Sequence, residues 1–88
     1  MIIALISTLK NVDFKEYVSH NCKEIRTNIP NLAEHIHDIP ITYTKDKDAL
    51  IKDADWVTII CDRKHSNVST VLPKCRKYHV SAEIIIVD

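Results

Sequence analysis

Short runs of mainly apolar and β-branched residues alternate along the chain with segments whose apolar residues recur every three or four positions. The runs lie at 2–6, 56–61 and 83–87. Runs of this length are typical of strands that are buried on both faces of a parallel sheet. A weaker strand is predicted at 39–44, where apolar and polar residues alternate and Pro40 favours an edge position. The pattern therefore predicts four strands.

Segments with helical spacing separate these strands. The longest is 14–26, and Asp13 with Glu16 forms a capping box at its start. Shorter helical segments are predicted at 32–36, at 46–54 with Asp46 as its cap, and from about Asn67 or Thr70 to Tyr78. Pro73 lies in the last of these, and it is compatible with a helix that begins late, because first-turn amides have no carbonyl partner to lose.

Strands that alternate with helices predict an α/β domain with a parallel sheet, because parallel neighbours need a crossover connection. We expect one domain spanning residues 1–88, since half of this chain would be too small to bury a core of its own. Right-handed crossovers give the four predicted strands the order 2-1-3-4 with helices on both faces, a Rossmann-like or flavodoxin-like arrangement. One face of the third and fourth predicted strands then carries no helix, which predicts a homodimer over that face.

The composition excludes several classes of protein. Twelve Lys and Arg balance twelve Asp and Glu, so general binding to nucleic acid is not expected. No apolar run approaches the roughly 20 residues that span a bilayer, and no signal peptide is recognisable, so we expect no membrane helix and no export. An odd number of cysteines, three, favours reduced thiols in the cytoplasm. Because the chain has no glycine, glycine-rich phosphate loops are excluded, and no cofactor is expected.

Polar residues follow the first and third predicted strands, at the edge where open α/β sheets bind ligands. The candidate ligand-binding residues are Ser7, Thr8, Lys10, Arg63, Lys64, His65, Ser66 and Thr70. The second group precedes a helix N-terminus, whose free amides and dipole attract anions. Cations, hydroxyls and a helix start together fit a phosphate or a carboxylate. The alternative is that these loops are polar only because solvent surrounds them.

Part of the chain resembles a known superfamily. The resemblance covers residues 54–60, Ser66, Thr70, the apolar helix after them and the strand at 84–87. These residues look like the C-terminal half of the SLOG superfamily and related nucleoside deoxyribosyltransferase-like domains. Residues 2–8 resemble the first strand of those domains. In those families a Ser and a Gly-Thr pair at a helix start meet a nucleotide phosphate. Here Ser69 stands before Thr70, and Ser7 replaces the first-strand glycine. The resemblance therefore implies a remodelled nucleotide-binding or protein-binding role.

Two cysteine and histidine pairs share one spacing. Cys61 with His65, and Cys75 with His79, are each four residues apart, a spacing that tetrahedral zinc sites use. So loose a spacing also arises by chance, and the alternative places both cysteines in the core. We predict no metal site. Ser66 or Cys61 could act as a nucleophile with His65 as its base. Neighbours in a loop rarely align for proton transfer, so no catalytic residue is predicted.

Two functions remain open. The first is a small non-enzymatic interaction or regulatory protein, such as a phage or viral modulator of a host protein, that acts as a homodimer through a sheet face or edge. The alternative is a module that binds or sequesters a nucleotide or related phosphorylated metabolite at the loops after the first and third predicted strands. The absence of glycine favours the first function, and the run from Arg63 to Ser66 favours the second.

Overall fold

Five strands form one parallel sheet in the computed structural model, which describes residues 1–18, 21–64 and 68–87. In chain order they are β1 (Ile2–Ser7), β2 (Glu24–Thr27), β3 (Ile41–Tyr43), β4 (Trp56–Cys61) and β5 (Ser81–Ile86). Their order across the sheet is β3-β2-β1-β4-β5, and every neighbouring pair is parallel. The predicted α/β class and parallel sheet are confirmed.

The helix predicted at 14–26 is wrong. Its described residues form a 3₁₀ helix at Phe14–Tyr17 and then β2, while Ser19 and His20 lie outside the described residues. In β2, charged residues alternate with the β-branched Ile25 and Thr27, which pair with β1 and are fully buried. Pairing with a buried strand therefore outweighs the helical spacing of the apolar residues.

The additional strand also corrects the predicted sheet of four strands. The order 2-1-3-4 would place the strand predicted at 39–44 directly beside the first strand, whereas β2 lies between β1 and β3. Apart from that insertion, the four predicted strands follow one another across the sheet as expected. β3 is an edge strand of three residues, as the proline before it indicated.

Both α-helices formed by the described residues, α1 (Lys47–Ile51) and α2 (Val68–Lys77), pack on the same face of the sheet. This helix-side core contains Ala4, Ile6, Leu50, Ile51, Val57, Ile59, Val71 and Cys75. The opposite core contains Ile3, Leu5, Phe14, Ile25, Leu32, Ile36, Ile39 and Ile60. There the cover comes from two 3₁₀ helices, Phe14–Tyr17 and Leu32–Glu34, so the prediction of helices on both faces holds only if 3₁₀ helices are counted.

The uncovered apolar face predicted for the last two strands is also wrong. On the side of β4 away from the α-helices, Thr58 is 4% exposed and Ile60 is completely buried. The chain's own 3₁₀ side therefore covers β4. On the same face of β5, Ser81 and Glu83 are exposed, so solvent meets polar side chains there.

α1 begins where its sequence predicts, whereas α2 begins before the late start that Pro73 favours. The Asp46 carboxylate caps α1 by accepting the backbone N–H groups of Asp48 at 3.0 Å and Ala49 at 3.4 Å. α2 begins at Val68, so Pro73 is its sixth residue and lies beyond the first turn. The carbonyl group that loses its partner is that of Ser69, and because Ser69 and Pro73 are both exposed, water can hydrogen-bond to it.

Candidate functional site

The carboxyl ends of β1 and β4 meet where the chain reverses its direction across the sheet. After β1 the chain moves outward to β2 and β3, and it then returns to the other side of β1 as β4. Ser7 at the end of β1 lies beside Ile60 of β4. Such a reversal is where open α/β sheets bind their ligands. The two loops predicted to form a site therefore leave the sheet side by side.

Ser7 has a structural role at this edge. Its side chain is 4% exposed, and its Oγ donates a 2.6 Å hydrogen bond to the carbonyl of Ile60 and accepts the N–H of Leu9 at 3.1 Å. Thr27 does the same at the end of β2, donating to the carbonyl of Leu5 at 2.8 Å and accepting the N–H of Ile29 at 3.0 Å. Each hydroxyl links its own strand to a neighbouring strand and stabilises the turn that follows. Because a hydroxyl has one proton and that proton is already donated, neither side chain can donate a hydrogen bond to a ligand in this arrangement.

The other predicted site residues divide between exposed loops and the start of α2. Thr8, Lys10, Arg63 and Lys64 are exposed, whereas His65 and Ser66 lie outside the described residues. The N–H of Lys64 bonds to the Asp62 carboxylate at 3.0 Å, which makes a tight turn after β4. Thr70 is also exposed, and its Oγ1 accepts a 3.0 Å hydrogen bond from Lys47 Nζ of α1.

A cleft of about 430 Å³ opens at the carboxyl edge, between the loops after β1 and β2. It is lined by Leu9, Lys10, Val12, Phe14, Ile29, Pro30, Asn31, Glu34 and His35. Lys10 is the one predicted site residue among them. Sequence reasoning missed Asn31, Glu34 and His35 because it placed a helix where β2 ends. The polar turn Asn28 to Asn31 after a β-branched residue was the available signal.

The cysteines are core residues. Cys22, Cys61 and Cys75 are free and buried, as the core alternative predicted for the last two. Burial raises the pKa of the Cys75 thiol, which disfavours its reactive thiolate. Among residues 1–18, 21–64 and 68–87, no three His, Cys, Asp or Glu side chains gather as a metal site would require. His65, one of the four suggested zinc ligands, lies outside these ranges.

β5 carries two of the four large hydrophobic side chains that are exposed in the described part of the chain. Ile84 is 41% and Ile86 is 58% exposed, and both project on the helix side in line with Ala82. No described strand pairs with this side of β5. We call these three residues and their outward backbone groups the β5 edge. A long apolar edge strand is a template for pairing with another chain.

A groove of about 500 Å³ runs beside the β5 edge, between α2 and β5. Its lining residues are Leu72, Cys75, Arg76, His79, Val80, Ser81 and Ala82. Ala82 thus belongs both to the edge and to the groove. We refer to this feature as the α2–β5 groove.

No family model, curated protein or solved structure matches this chain. The resemblance to the SLOG superfamily therefore stays a prediction from the sequence. In the described part of the chain, no helix has the length and apolar character that a membrane span requires.

Proposed function

We propose that this protein is a small, non-enzymatic interaction protein that acts as a homodimer formed through the β5 edge. The observation that carries the proposal is the exposure of Ile84 and Ile86 on a strand that has no described partner on its outer side. We further propose that the dimer regulates a host protein, in the manner of a phage or viral modulator. The three free cysteines support action in the cytoplasm.

The two edges of the sheet differ in a way that supports this surface. β3 has three residues, follows a proline and is too short to template another strand. β5 has six residues, contains no proline, and carries its single charged residue, Glu83, on the face opposite Ile84. Natural proteins protect such an edge with charges, prolines or a covering segment. A second copy of the chain would provide the cover.

The energetics are compatible with a dimer of moderate affinity. Burying one isoleucine fully contributes about 1.5 to 3 kcal/mol. Because Ile84 and Ile86 are roughly half exposed, the four such side chains of a symmetric dimer contribute on the order of 3 to 6 kcal/mol. Main-chain hydrogen bonds add to this, and association costs at least about 4 kcal/mol. The side chains alone therefore do not supply the roughly 8 kcal/mol of a micromolar dimer, and the main-chain hydrogen bonds, at about 0.5 to 1.5 kcal/mol each, must supply the rest.

Sedimentation equilibrium at tens of micromolar tests the proposal. The wild type is expected at twice the 10.1 kDa mass of the chain, whereas Ile86→Lys is expected to be a monomer, because the new ammonium group cannot be desolvated at the interface. Thr42→Lys is the matched control, since Thr42 is exposed on the helix-side face of the other edge strand. A monomeric wild type, or equal disruption by both substitutions, would rule the proposal out.

The second candidate function is binding of a nucleotide or related phosphorylated metabolite at the carboxyl edge of the sheet. It is favoured by Lys10, which lines the 430 Å³ cleft, and by the strand order β3-β2-β1-β4-β5, which supports a Rossmann-like fold. A thermal-shift series with nucleotides and sugar phosphates tests it, because a ligand at 100 times its dissociation constant adds about 2.7 kcal/mol of stability. Loss of that shift in an Arg63→Ala, Lys64→Ala double variant would place the ligand at the β4 loop, and loss in Lys10→Ala would place it in the cleft.

A further inference from the structure

We infer that two copies of β5 pair antiparallel about a two-fold axis at Ile84, so that the Ile86 side chain of each copy enters the α2–β5 groove of the other. The inference rests on the homodimer proposed above and specifies how the two copies meet. It would join two five-stranded sheets into one continuous sheet, with the α-helices of both copies on the same face.

The backbone of β5 determines which residues can pair outward. The N–H of Val87 donates a 2.9 Å hydrogen bond to the carbonyl of Cys61 in β4. Because the polar groups of successive strand residues point to opposite sides, those of Ala82, Ile84 and Ile86 point to the free side. These are also the residues whose side chains lie on the helix-side face. Hydrogen bonding and apolar contact with a second copy would therefore use the same three residues.

Symmetry and charge then select the register. Residues that face each other across a two-fold axis must lie on the same face of the sheet, so the axis passes at a single residue. An axis at Glu83 would bring two carboxylates opposite each other, which is unfavourable. An axis at Ile85 would pair Ile84 with Ile86 and leave Ala82 without a described partner. The axis at Ile84 places Ala82 opposite the partner's Ile86 and engages all three outward residues.

The same register matches a large exposed side chain with a space that accepts it. Directly opposite residues in an antiparallel pair have Cβ atoms about 4.5 to 5.5 Å apart, so the Ile86 side chain, 58% exposed in one copy, would reach the small Ala82 of the other. Ala82 lines the 500 Å³ groove beside α2, together with the apolar Leu72 and Val80. The two-fold axis repeats this contact, so each copy supplies one isoleucine and one groove.

Disulfide formation at the β5 edge tests the register. In the inferred dimer the two copies of residue 84 face each other with Cα atoms about 5.5 Å apart, which a disulfide can span, so Ile84→Cys should oxidise to a covalent dimer. The matched control is Ser81→Cys, which keeps Ala82, Ile84 and Ile86 in place and whose two copies would be separated by six residues, about 20 Å. The three native thiols are buried and should remain unreacted in both variants.

The outcomes separate the register from the dimer itself. If the wild type sediments as a monomer, the homodimer fails and the register with it. If the wild type and both variants sediment as dimers under reducing conditions but Ser81→Cys cross-links as well as Ile84→Cys, or neither does, the register is wrong while the homodimer stands. Cross-linking confined to Ile84→Cys supports both.

A size exchange provides a second measurement that does not depend on sulfur chemistry. Ala82→Leu should weaken the dimer at least about tenfold because it fills the space for Ile86, and Ile86→Ala should weaken it because it empties that space. In the double variant the large and small residues change places across the axis, so the dissociation constant should return to within about threefold of the wild type, less than 0.7 kcal/mol. Additive losses in the double variant, with folding verified by circular dichroism, would overturn the register.

Discussion

Three residues of the described chain have a left-handed backbone conformation: Asn31, Asp53 and His79, with φ values of 63°, 67° and 57°. The chain contains no glycine, and Asn, Asp and His are the side chains that tolerate this conformation best. At His79 the conformation ends α2. The N–H of Val80 bonds to the carbonyl of Cys75 at 2.9 Å, and the N–H of His79 bonds to that of Arg76 at 3.3 Å. This pair of bonds is a Schellman motif.

Replacing His79 with glycine should stabilise the fold by about 0.5 to 1 kcal/mol, because glycine adopts positive φ without a steric cost. Urea unfolding measures the change. His37→Gly is the matched control, since His37 is exposed and does not have positive φ, and it should lower the free energy of unfolding slightly. A loss of stability on His79→Gly would show that the imidazole makes contacts worth more than the backbone strain.

The hydroxyl of Thr27 provides a second prediction at the level of one side chain. Thr27→Val keeps the shape but leaves the carbonyl of Leu5 and the N–H of Ile29 without their partner. We expect the free energy of unfolding to fall by about 1 to 3 kcal/mol, the cost of unsatisfied buried groups. Thr42→Val, at an exposed position of β3, should change stability little. Equal effects would mean that the Thr27 hydroxyl contributes nothing specific.

At the level of elements, α1 depends on its neighbours because five residues are too few for an independent helix. Asp48 in its first turn forms a 2.8 Å ion pair with Lys74 and accepts a 3.0 Å hydrogen bond from the Tyr78 hydroxyl. The hydrogen bonds from Lys74 and Tyr78 lower the pKa of Asp48, and the hydrogen bond to Asp48 raises the pKa of Lys74. This cluster fastens α1 to α2.

The direction of these pKa shifts predicts how stability depends on pH. Because the folded state lowers the pKa of Asp48 below its ordinary value of 3.8, its contribution is present above that pH and is lost as pH falls through the lowered pKa. Lys74 behaves in the opposite sense, since its contribution is lost as pH rises through a pKa raised above 10.5. The groups are partly exposed, so salt should weaken both effects.

Asp48→Asn should therefore lower the urea midpoint at pH 7, and the difference from the wild type should narrow as pH falls below 3.8. Asp38→Asn is the control, because Asp38 is exposed and lies in a loop before β3. A difference that stays constant down to pH 2 would contradict an electrostatic role for Asp48.

Elements with unambiguous patterns could be predicted from the sequence, and those that depend on pairing could not. The runs at 2–6, 56–61 and 83–87 predicted β1, β4 and β5, although β5 begins two residues earlier, and Asp46 predicted the cap of α1. β2 was missed because Ile25, its one apolar residue, continues the helical spacing that begins at Phe14. Only a partner strand distinguishes the two, and β1 supplies it. The error at β2 also concealed half of the carboxyl-edge cleft, which is why Lys10 was predicted and Asn31 was not.

At the level of the whole molecule, burial is unequal across the sheet. β1 and β4 are buried on both faces, whereas β5 has no fully buried residue. The two cores on either side of the sheet close over its centre and leave the two edge strands, β3 and β5, without a buried residue, and β5 is the longer of the two. Folding and association should therefore be coupled through this strand, because the dimer would complete the burial that the single chain lacks.

This coupling predicts that thermal stability depends on protein concentration. If dimers unfold to separated chains, each tenfold rise in concentration above the dissociation constant adds about 1.4 kcal/mol per dimer, which should raise Tm by roughly 3 to 5 °C for a chain of this size. Differential scanning calorimetry from 10 to 1000 times a micromolar dissociation constant measures the slope. Ile86→Lys should abolish the slope while Thr42→Lys retains it, because only Ile86 lies on the β5 edge. A wild-type Tm that is independent of concentration would mean that β5 remains uncovered in the native protein, and the search for its partner would then turn to a different protein.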